Sequence, residues 1–509
     1  MNVLKLATPI LIFLSFFSTL GFFPLFDLDE GAFGEATREM LISGNYITTY
    51  LNGELRFDKP ILIYWIQAFS VNLFGLSEFS FRLPSAIAAS IWAYAIYKFV
   101  KDYFDQEKAL VSLLFFNSAL VISIMAKAAT ADALLNMWIV LSMFSIYRYY
   151  DNHQKKYLTL SFLFMGFGVL TKGPVAVMIP LIVTLIFFGI KQQFLFWLKS
   201  VFNPFGILIF LAVALPWYVL EYIDQGQKFI DGFILKHNVD RFNNSFEGHD
   251  GGYFYYLIVL PFIVAPFSIF LIRAVFNFKQ IFRNDLQLFL FIWLVFVVVF
   301  FSFSGTKLPH YLVYGLTPLF ILGSVYFSQV NSKLYIFFPA ILVLGIFALL
   351  PDLIRWFGYK INDDYVLSIK EHIFTIFDAA YQLEIFLLMA LLLFLVLYFK
   401  KKEYQMISAA AIFVVTVNFI IIPTVAKVEQ EPIKNIAEYV SKNQLKNIDF
   451  YRMNNPSFSV YTNSIVTNKP PIPGSILLTK KNHLSNLRNY TILHYQNGIY
   501  LVRMNNSQL

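Results

Sequence analysis

The stretch YLTLSFLFMGFGVLTKGPVAVMIPLIVTLIFFGI, residues 157–190, holds two apolar runs that meet at one lysine. Each run is near the length at which an α-helix crosses the hydrocarbon core of a bilayer, about 20 residues. Gly173 and Pro174 can form the turn between them, and a proline is well tolerated at the start of a helix. Lys172 is therefore predicted to stand where one membrane span ends and the next begins.

The same pattern extends over most of the chain. Its 509 residues are 58% hydrophobic and 14% charged, with a mean hydropathy of +0.63. Backbone groups inside a bilayer must be satisfied internally, so this composition predicts an all-α polytopic membrane protein with about 13 transmembrane helices. The predicted spans are residues 6–26, 82–100, 108–127, 133–150, 157–171, 174–190, 205–223, 253–273, 286–303, 309–328, 333–350, 382–399 and 404–424. The absence of cysteine from the sequence excludes disulfides and thiolate chemistry.

Basic side chains mark alternate connections between these spans. With the N-terminus in the cytoplasm, every cytoplasmic connection is basic, as the positive-inside rule requires. These basic residues are Lys98, Lys101, Lys108, Arg148, Lys155, Lys156, Lys191, Lys199, Arg273, Lys279, Arg283, Lys333, Lys400, Lys401 and Lys402. The net charge of +8 follows this loop pattern, so no nucleic-acid partner is predicted. An odd number of spans also places the C-terminus outside.

Composition divides the chain into a membrane domain, residues 1–424, and a C-terminal α/β domain, residues 425–509, on the outer face. Within the first, residues 27–80 are predicted to form an outer loop with juxtamembrane helices at 31–43 and 60–74. Within the second, a helix is predicted over 432–443 and strands over 450–461, 475–479, 490–496 and 499–504. Asn497 and Gly498 separate the last two strands, which predicts a hairpin. No cluster of reactive side chains marks this domain, so a structural or lid role is predicted.

Three acidic residues are predicted to lie at the outer edge of the membrane, where charge is costly and often functional. Asp29 and Glu30 follow the first span, and Asp132 begins a later one. Each carboxylate has two interpretations at this stage. It can cap or favour a helix N-terminus, or it can bind or deprotonate the acceptor group of a reaction.

Three lysines and an arginine are predicted at the same edge. Lys59 stands before a proline that can begin a helix, and Lys172 and Lys307 lie on the side that the positive-inside rule leaves without basic residues. Snorkelling to the interface is the alternative for Lys59 and for Lys172. Arg241 has a planar guanidinium that suits bidentate phosphate binding. Cations that hold a phosphate leaving group, beside carboxylates that handle an acceptor, suit group transfer from a phosphate-bearing lipid.

Several segments resemble a known family when taken in order. They are DEGAFGEATREML (29–41), FDKPILIYW (57–65), ATADALLNMW (129–138), LTKGP (170–174), KHNVDRF (236–242) with EGH (247–249), and KLPHY (307–311). This series resembles the aminoarabinose lipid A transferases, which belong to the protein O-mannosyltransferase-like glycosyltransferases of the GT-C fold. The resemblance covers most of the membrane domain.

The resemblance implies an enzyme that moves a sugar from a polyprenyl phosphate to a lipid A-type glycolipid or related acceptor. The reaction would take place on the periplasmic face of a multi-pass protein of the cell inner membrane. It implies that Asp29 and Asp132 are the key acids, beside Glu30. It implies that the donor phosphate is held by Lys59, Arg241 and Tyr311, with Lys172 and Lys307 nearby. Members of this group can hold a divalent metal ion, here between Asp58 and His237.

Two positions depart from the family pattern. The family often reads D-E-A-R-Y in the first loop, whereas this chain has Ala32 where that arginine stands. The family's usual glutamate before the KP lysine is Asp58, which is one methylene shorter. A protein O-glycosyltransferase of the same fold and a lipid-linked sugar transporter stay open as alternatives. Ionisable residues near the bilayer midplane and repeated halves would favour the transporter.

Overall fold

The architecture is a bundle of helices that carries a small α/β domain on one side. The computed structural model describes residues 2–240, 251–329, 332–357 and 364–505. The helices of the first half are α1 Asn2–Ile12, α2 Asp29–Ser43, α3 Leu62–Phe74, α4 Glu78–Tyr103, α5 Gln106–Ser118, α6 Leu120–Met125, α7 Asp132–Asn152, α8 Lys155–Lys172, α9 Val175–Ile190, α10 Phe194–Val201, α11 Pro204–Gln225 and α12 Gln227–Phe229. The π-helical segments of this half are Phe13–Phe17 and Ile230–Asp240.

The second half begins after residue 250. Its helices are α13 Tyr255–Ile263, α14 Ser268–Val275, α15 Phe278–Ile281, α16 Asp285–Phe303, α17 Leu316–Val325, α18 Leu334–Ala348, α19 Leu350–Phe357, α20 Asp364–Ile376, α21 Ala379–Tyr398, α22 Lys402–Thr416, α23 Ile422–Glu429, α24 Glu431–Lys442, α25 Pro456–Thr462 and α26 Lys481–Leu484. The 3₁₀ segments are Pro309–Gly315 and Phe327–Gln329, and a π-helical segment spans Val417–Ile421.

Side-chain caps explain where many of the long helices begin. Ser77 and Ser80 form a capping box at α4, and Asp105 accepts from Lys108 N at α5. Asn203 caps α11 one residue before Pro204, and Asp378 caps α21. Each cap satisfies a backbone N–H that the first turn of a helix leaves without a partner.

Three predicted spans are interrupted. Residues 253–273 form α13 and α14 instead of one helix, with Pro266 between them, because a proline has no N–H and disfavours the helical conformation of the residue before it. Residues 108–127 are divided at Ala119, whose extended conformation (ψ 131°) ends α5. Residues 309–328 begin as a 3₁₀ turn before α17.

Five helices among the described residues are long and apolar enough to cross a membrane. They are Glu78–Tyr103, Pro204–Gln225, Asp285–Phe303, Ala379–Tyr398 and Lys402–Glu429; the pair α18 and α19, bent by 52°, makes a sixth if counted as one span. This supports a polytopic membrane protein. The figure of about 13 spans stays a prediction.

The C-terminal domain is built on a five-stranded sheet. Its strands are β3 Ile448–Phe450, β4 Thr467–Asn468, β5 Ile476–Lys480, β6 Tyr490–Gln496 and β7 Ile499–Met504, in the order β4-β3-β5-β7-β6. The hairpin at Asn497 and Gly498 is present, with both residues at positive φ. The prediction of one strand over residues 450–461 is wrong. The strand ends at Phe450, and Pro456 begins α25, where a fixed φ and a missing N–H cost nothing.

This domain packs against the loop that follows the first helix. The Asp27 carboxylate accepts from the Ser457 backbone N–H at 3.0 Å, the Ser457 hydroxyl at 2.5 Å and Asn455 Nδ2 at 3.1 Å. Gly31 permits the close approach, since a Cβ there would lie 2.7 Å from Ser457 N. Burial is the main cause that raises the pKa of Asp27 to about 6, against the effect of these hydrogen bonds. The start of α2 is thus held by residues more than 400 positions away in the sequence.

Candidate functional site

A cavity of about 430 Å³ lies between the first turn of α2, the start of α7, the end of α8 and the C-terminal domain. A short hairpin, β1 Tyr50–Leu51 and β2 Glu54–Leu55, forms another part of its wall. The charged and titratable side chains that line it are Asp29, Glu54, Arg56, Asp58, Lys59, Asp132, Lys172, Lys236, His237 and His310. The structure therefore brings Asp29, Asp58, Lys59, Asp132, Lys172 and His237 to one cavity, together with Tyr311.

Asp58 is the centre of a cluster of charges in the loop before α3. Its carboxylate lies 2.6 Å from Lys59 Nζ, 3.0 Å from Arg56 Nη2 and 3.3 Å from His237 Nδ1. Burial opposes ionisation, but the charges of Lys59, Arg56 and His237 prevail and lower the pKa of Asp58 well below its ordinary value. Gly232 lets the segment that carries His237 approach this loop, since a Cβ there would lie 2.6 Å from Phe57.

Asp58 and His237 are thus adjacent, as a shared metal ion would require. However, the described residues contain no group of three or more Asp, Glu or His side chains that could hold a metal ion. Lys59 and Arg56 already neutralise Asp58, and a divalent ion would have to displace them. These residues therefore do not form a complete metal site, and metal binding stays a prediction.

Asp132 forms a buried pair with Lys172. The Lys172 ammonium donates to Asp132 Oδ1 at 2.6 Å, Thr130 Oγ1 donates to Oδ2 at 3.1 Å, and Tyr314 OH donates to Oδ1 at 3.3 Å. Asp132 makes no side-chain cap, because Ala131 precedes the helix and no cap hydrogen bond forms there. The Lys172 ammonium also lies 5.9 Å from the ring centroid of Tyr311, at the cavity wall.

Asp29 and Glu30 are adjacent in sequence but have different surroundings. Glu30 is 4% exposed and lies 2.6 Å from Arg82, and it also accepts from the N–H of Ala129 at 2.7 Å. Glu30 does not line the cavity. Asp29 does, and no described residue donates a hydrogen bond to its carboxylate. The first turn of α2 favours a negative charge there, since the positive end of the helix dipole lies beside it.

The remaining predicted donor contacts are distributed differently. Tyr311 lines the cavity and packs on Phe301 with ring centroids 5.0 Å apart. Lys307 is buried, does not line the cavity, and donates to the Ser304 carbonyl at 2.8 Å. Arg241 lies outside the described residues.

Arg56 is a cation of this site that the sequence interpretation missed. Its guanidinium lies over the Phe33 ring, 5.3 Å from the centroid, and its Nε donates to Tyr64 OH at 3.1 Å. It lines the cavity beside Ala32. The signal available was its position, two residues before Asp58. Asn454 and Asn468 of the C-terminal domain also line the cavity, and no sequence pattern marks them.

Two side grooves meet the central cavity. One groove, of about 130 Å³, is lined by Lys59 and Lys172, which also line the central cavity. Its aromatic side chains include Phe233 and Phe301. The other, of about 330 Å³, reaches Asp29 and Asp132, includes Glu30, Arg82 and Lys127, and has a mostly apolar surface. Its apolar lining is Phe23, Phe26, Leu120, Ile124, Met125, Ala128, Phe347, Val417, Ile421, Ile422 and Val425. A polar centre between two apolar grooves is suited to reactants that each carry a lipid tail.

Comparison with solved structures defines the class of fold. The structure superposes on ArnT from Cupriavidus metallidurans bound to undecaprenyl phosphate with a TM-score of 0.82, at 18% identity, covering 99% of this chain and 97% of that one. It also matches an oligosaccharyltransferase of Archaeoglobus fulgidus with a TM-score of 0.51, at 12% identity, over 92% of this chain and 64% of that one. The fold is that of the GT-C membrane glycosyltransferases.

Sequence relatives narrow the class to a family. Residues 58–219 match the family model of dolichyl-phosphate-mannose-protein mannosyltransferases. An uncharacterized protein of Aquifex aeolicus is 32% identical over 333 residues, 64% of this chain and 74% of that one. An undecaprenyl phosphate-alpha-4-amino-4-deoxy-L-arabinose arabinosyl transferase of Pseudomonas fluorescens is 28% identical over 304 residues. The matched region is 58% of this chain and 54% of that relative, so the chain spans about half the length of that protein. The chain belongs to the protein O-mannosyltransferase-like glycosyltransferase family, and several of its named relatives are aminoarabinose transferases.

Proposed function

We propose that this protein transfers a sugar from a polyprenyl phosphate to a lipid acceptor at the periplasmic face of the inner membrane. The observation that supports it best is the arrangement of one cavity. Its side toward the small groove, called the cationic side, carries Lys59 and Lys172 beside Asp58, and its other side carries Asp29. Lys59, Lys172 and Tyr311 lie where the central cavity meets the small aromatic groove, whereas Asp29 lies where it meets the large apolar groove. The relatives and the undecaprenyl phosphate bound to the similar fold support this class of donor.

The donor phosphate is assigned to the cationic side. Charge develops on the phosphate oxygens as the bond between the sugar C1 and the phosphate breaks, and fixed cations stabilise it. Lys59 and Lys172 are paired with carboxylates 2.6 Å away, so their ammonium groups are held at fixed positions before substrate arrives. Arg56 adds a planar guanidinium that can bind two phosphate oxygens at once. The leaving group is polyprenyl phosphate.

Asp29 is assigned to the acceptor. It accepts the proton of an acceptor hydroxyl while the acceptor oxygen bonds to C1; if the acceptor is already an ionised phosphate, Asp29 positions it instead. Asp132 is the less suitable base because Lys172 neutralises it, and it supports the site by holding that lysine. No step requires a metal ion.

The large apolar groove favours a lipid acceptor over a protein. It ends at Asp29, and its wall of phenylalanine, leucine, isoleucine and valine side chains suits an acyl chain better than an extended peptide, whose backbone needs hydrogen-bond partners. This agrees with a lipid A-type glycolipid or a related acceptor. Protein O-glycosylation is the second candidate, and a transporter is disfavoured because the ionisable residues gather in one cavity.

The test is sugar transfer in proteoliposomes with radiolabelled undecaprenyl-phosphate sugars and added glycolipid. Asp29→Asn and Lys59→Ala are expected to lose transfer. Asp102→Asn and Lys98→Ala, matched changes in an exposed ion pair away from the cavity, are expected to retain it. Full activity of Asp29→Asn would refute its assignment, label on protein would favour the second candidate, and label that crosses the bilayer without transfer would indicate a transporter.

A further inference from the structure

We propose that the C-terminal domain selects the sugar that is transferred, through the side-chain amides of Asn454 and Asn468. This inference rests on the proposed function and deepens it. Both residues belong to the α/β domain, and both line the central cavity. The reacting centre is therefore built from two domains, and the second adds two neutral side-chain amides to a wall whose charged residues all come from the first.

Asn454 is held in place by the β1–β2 hairpin. Asn52, at the turn of this hairpin with φ 55°, donates through Nδ2 to Asn454 Oδ1 at 3.1 Å. The other end of the Asn52 amide accepts from Ser459 Oγ at 3.2 Å. These two bonds fix the orientation of both amides. Asn454 Nδ2 is left as a donor for which no described residue is an acceptor, and Asn454 is exposed at the cavity wall.

Asn468 is held by the edge of the sheet. It lies on β4, which pairs only with β3, and the preceding Thr467 hydroxyl donates to Asp449 at 2.6 Å. The same hairpin packs here as well, because a Cβ on Gly53 would lie 3.4 Å from Ile465 and 3.7 Å from Thr467. Asn468 is exposed at the cavity wall. Two separate segments of the domain therefore present amides to one space.

The position of these amides indicates what they bind. They line the central cavity, but neither the cationic groove nor the apolar groove. In a transfer reaction, the part of the substrates that lies between the donor phosphate and the acceptor is the sugar. Neutral amides offer both donors and acceptors, which suits hydroxyl or amino substituents, whereas phosphate would be bound by the cations. The ligand is therefore the ring substituents of the transferred sugar.

A selective role follows from the cost of an unmatched polar group. A bound sugar covers these exposed amides and displaces water from them. An amide that one sugar substituent satisfies is then left without a partner by another sugar, and this discriminates between sugars more strongly than shape does. Asn52 acts as a positioning residue for Asn454. The contacts of Ser457 with Asp27 and of Tyr461 OH with the Leu25 N–H, at 2.7 Å, fix the domain on the cavity.

The experiment measures kcat/KM in proteoliposomes for undecaprenyl phosphates that carry arabinose, 4-amino-4-deoxyarabinose, mannose or glucose. Wild type is compared with Asn454→Ala, Asn468→Ala and the double variant. Asn443→Ala, at an exposed position directly after α24 in the same domain and not part of the cavity wall, is the matched control. Binding of sugar-free undecaprenyl phosphate is measured in parallel.

We expect each single variant to lower kcat/KM for the best donor about tenfold, the effect of one lost hydrogen bond. The ratio between the best and the second donor should shrink, while binding of undecaprenyl phosphate and the control stay unchanged. An unchanged ratio in the double variant, or an equal loss of undecaprenyl phosphate binding, would overturn sugar selection alone. Absence of transfer by wild type from all four donors would overturn the proposed function as well.

Discussion

The contact between Asp27 and the C-terminal domain should become weaker as pH rises. Because burial raises the pKa of Asp27 to about 6, the folded state binds a proton more tightly than the unfolded chain, in which the value is near 3.8. The stabilisation from this group is fully present below about pH 4. It decreases as pH rises from about 4 to about 6, and it is absent at higher pH. The difference between these two pKa values corresponds to about 3 kcal/mol in the free energy of unfolding.

Two substitutions separate the charge from the hydrogen bonds. Asp27→Asn keeps an oxygen that can accept from Ser457 N and removes the buried charge, so the pH dependence should disappear. Stability at pH 7 should then equal or exceed that of wild type. Asp27→Ala removes the acceptor of all three hydrogen bonds and leaves the Ser457 N–H unsatisfied. We expect it to cost about 1–3 kcal/mol near pH 4, where Asp27 is protonated in the folded wild type, and less at higher pH, because wild type itself loses stability there.

Hydrogen exchange of the Ser457 amide measures this directly, since that N–H is donated to Asp27. Protection is converted to an opening free energy between pH 4 and pH 8, after correction for the intrinsic exchange rate. A slope that persists in Asp27→Asn would refute the assignment to Asp27. Exchange in Asp27→Ala at the wild-type rate at pH 4 would show that the hydrogen bond does not hold the domain.

Further predictions concern buried pairs, the donor phosphate and metal removal. Lys172→Ala should lower thermal stability in detergent by about 3–5 kcal/mol because it leaves Asp132 buried without a partner, and adding Asp132→Asn should recover most of that loss. Glu30→Gln should have a similar cost by leaving the fully buried Arg82 unpaired; a normal melting temperature would contradict this. Arg56→Ala should weaken undecaprenyl phosphate binding at least about tenfold and reduce its salt dependence, which titration at two ionic strengths would test. Prolonged chelation should leave transfer unchanged, and a loss restored by one added cation would disprove this.

The parts of the site that the sequence predicts share one property. Asp29, Lys59, Asp132, Lys172 and Tyr311 each stand where an apolar run begins or ends, so the membrane itself aligns them at one level. The hydrophobic pattern predicts their common level, but it does not decide which side chains enter the cavity, since Lys307 stands at such a position and does not. The bounds of α2 and α3 follow from the same pattern to within two residues.

The parts that the sequence does not predict depend on tertiary contacts. Glu30 and Asp29 are adjacent and share the same surrounding sequence, so the sequence does not distinguish them. Only the ion pair with Arg82 shows that Glu30 is a buried structural acid. Asn454 and Asn468 reach the cavity because the C-terminal domain folds back on the first loop. In that domain, apolar residues after Phe450 resemble a strand, but Pro456 begins a helix instead.

The contacts of the first loop have a consequence for the order in which the protein is made. Leu25, Asp27 and Arg38 are synthesised early, but their partners Tyr461, Ser457 and Asn463 leave the ribosome more than 400 residues later. Contacts this distant in the chain form late in folding. The central cavity is therefore completed only after nearly the whole chain has been translated. A chain that stops before the C-terminal domain has the charged side chains of the cavity but lacks the part of its wall that Asn454, Pro456 and Asn468 supply.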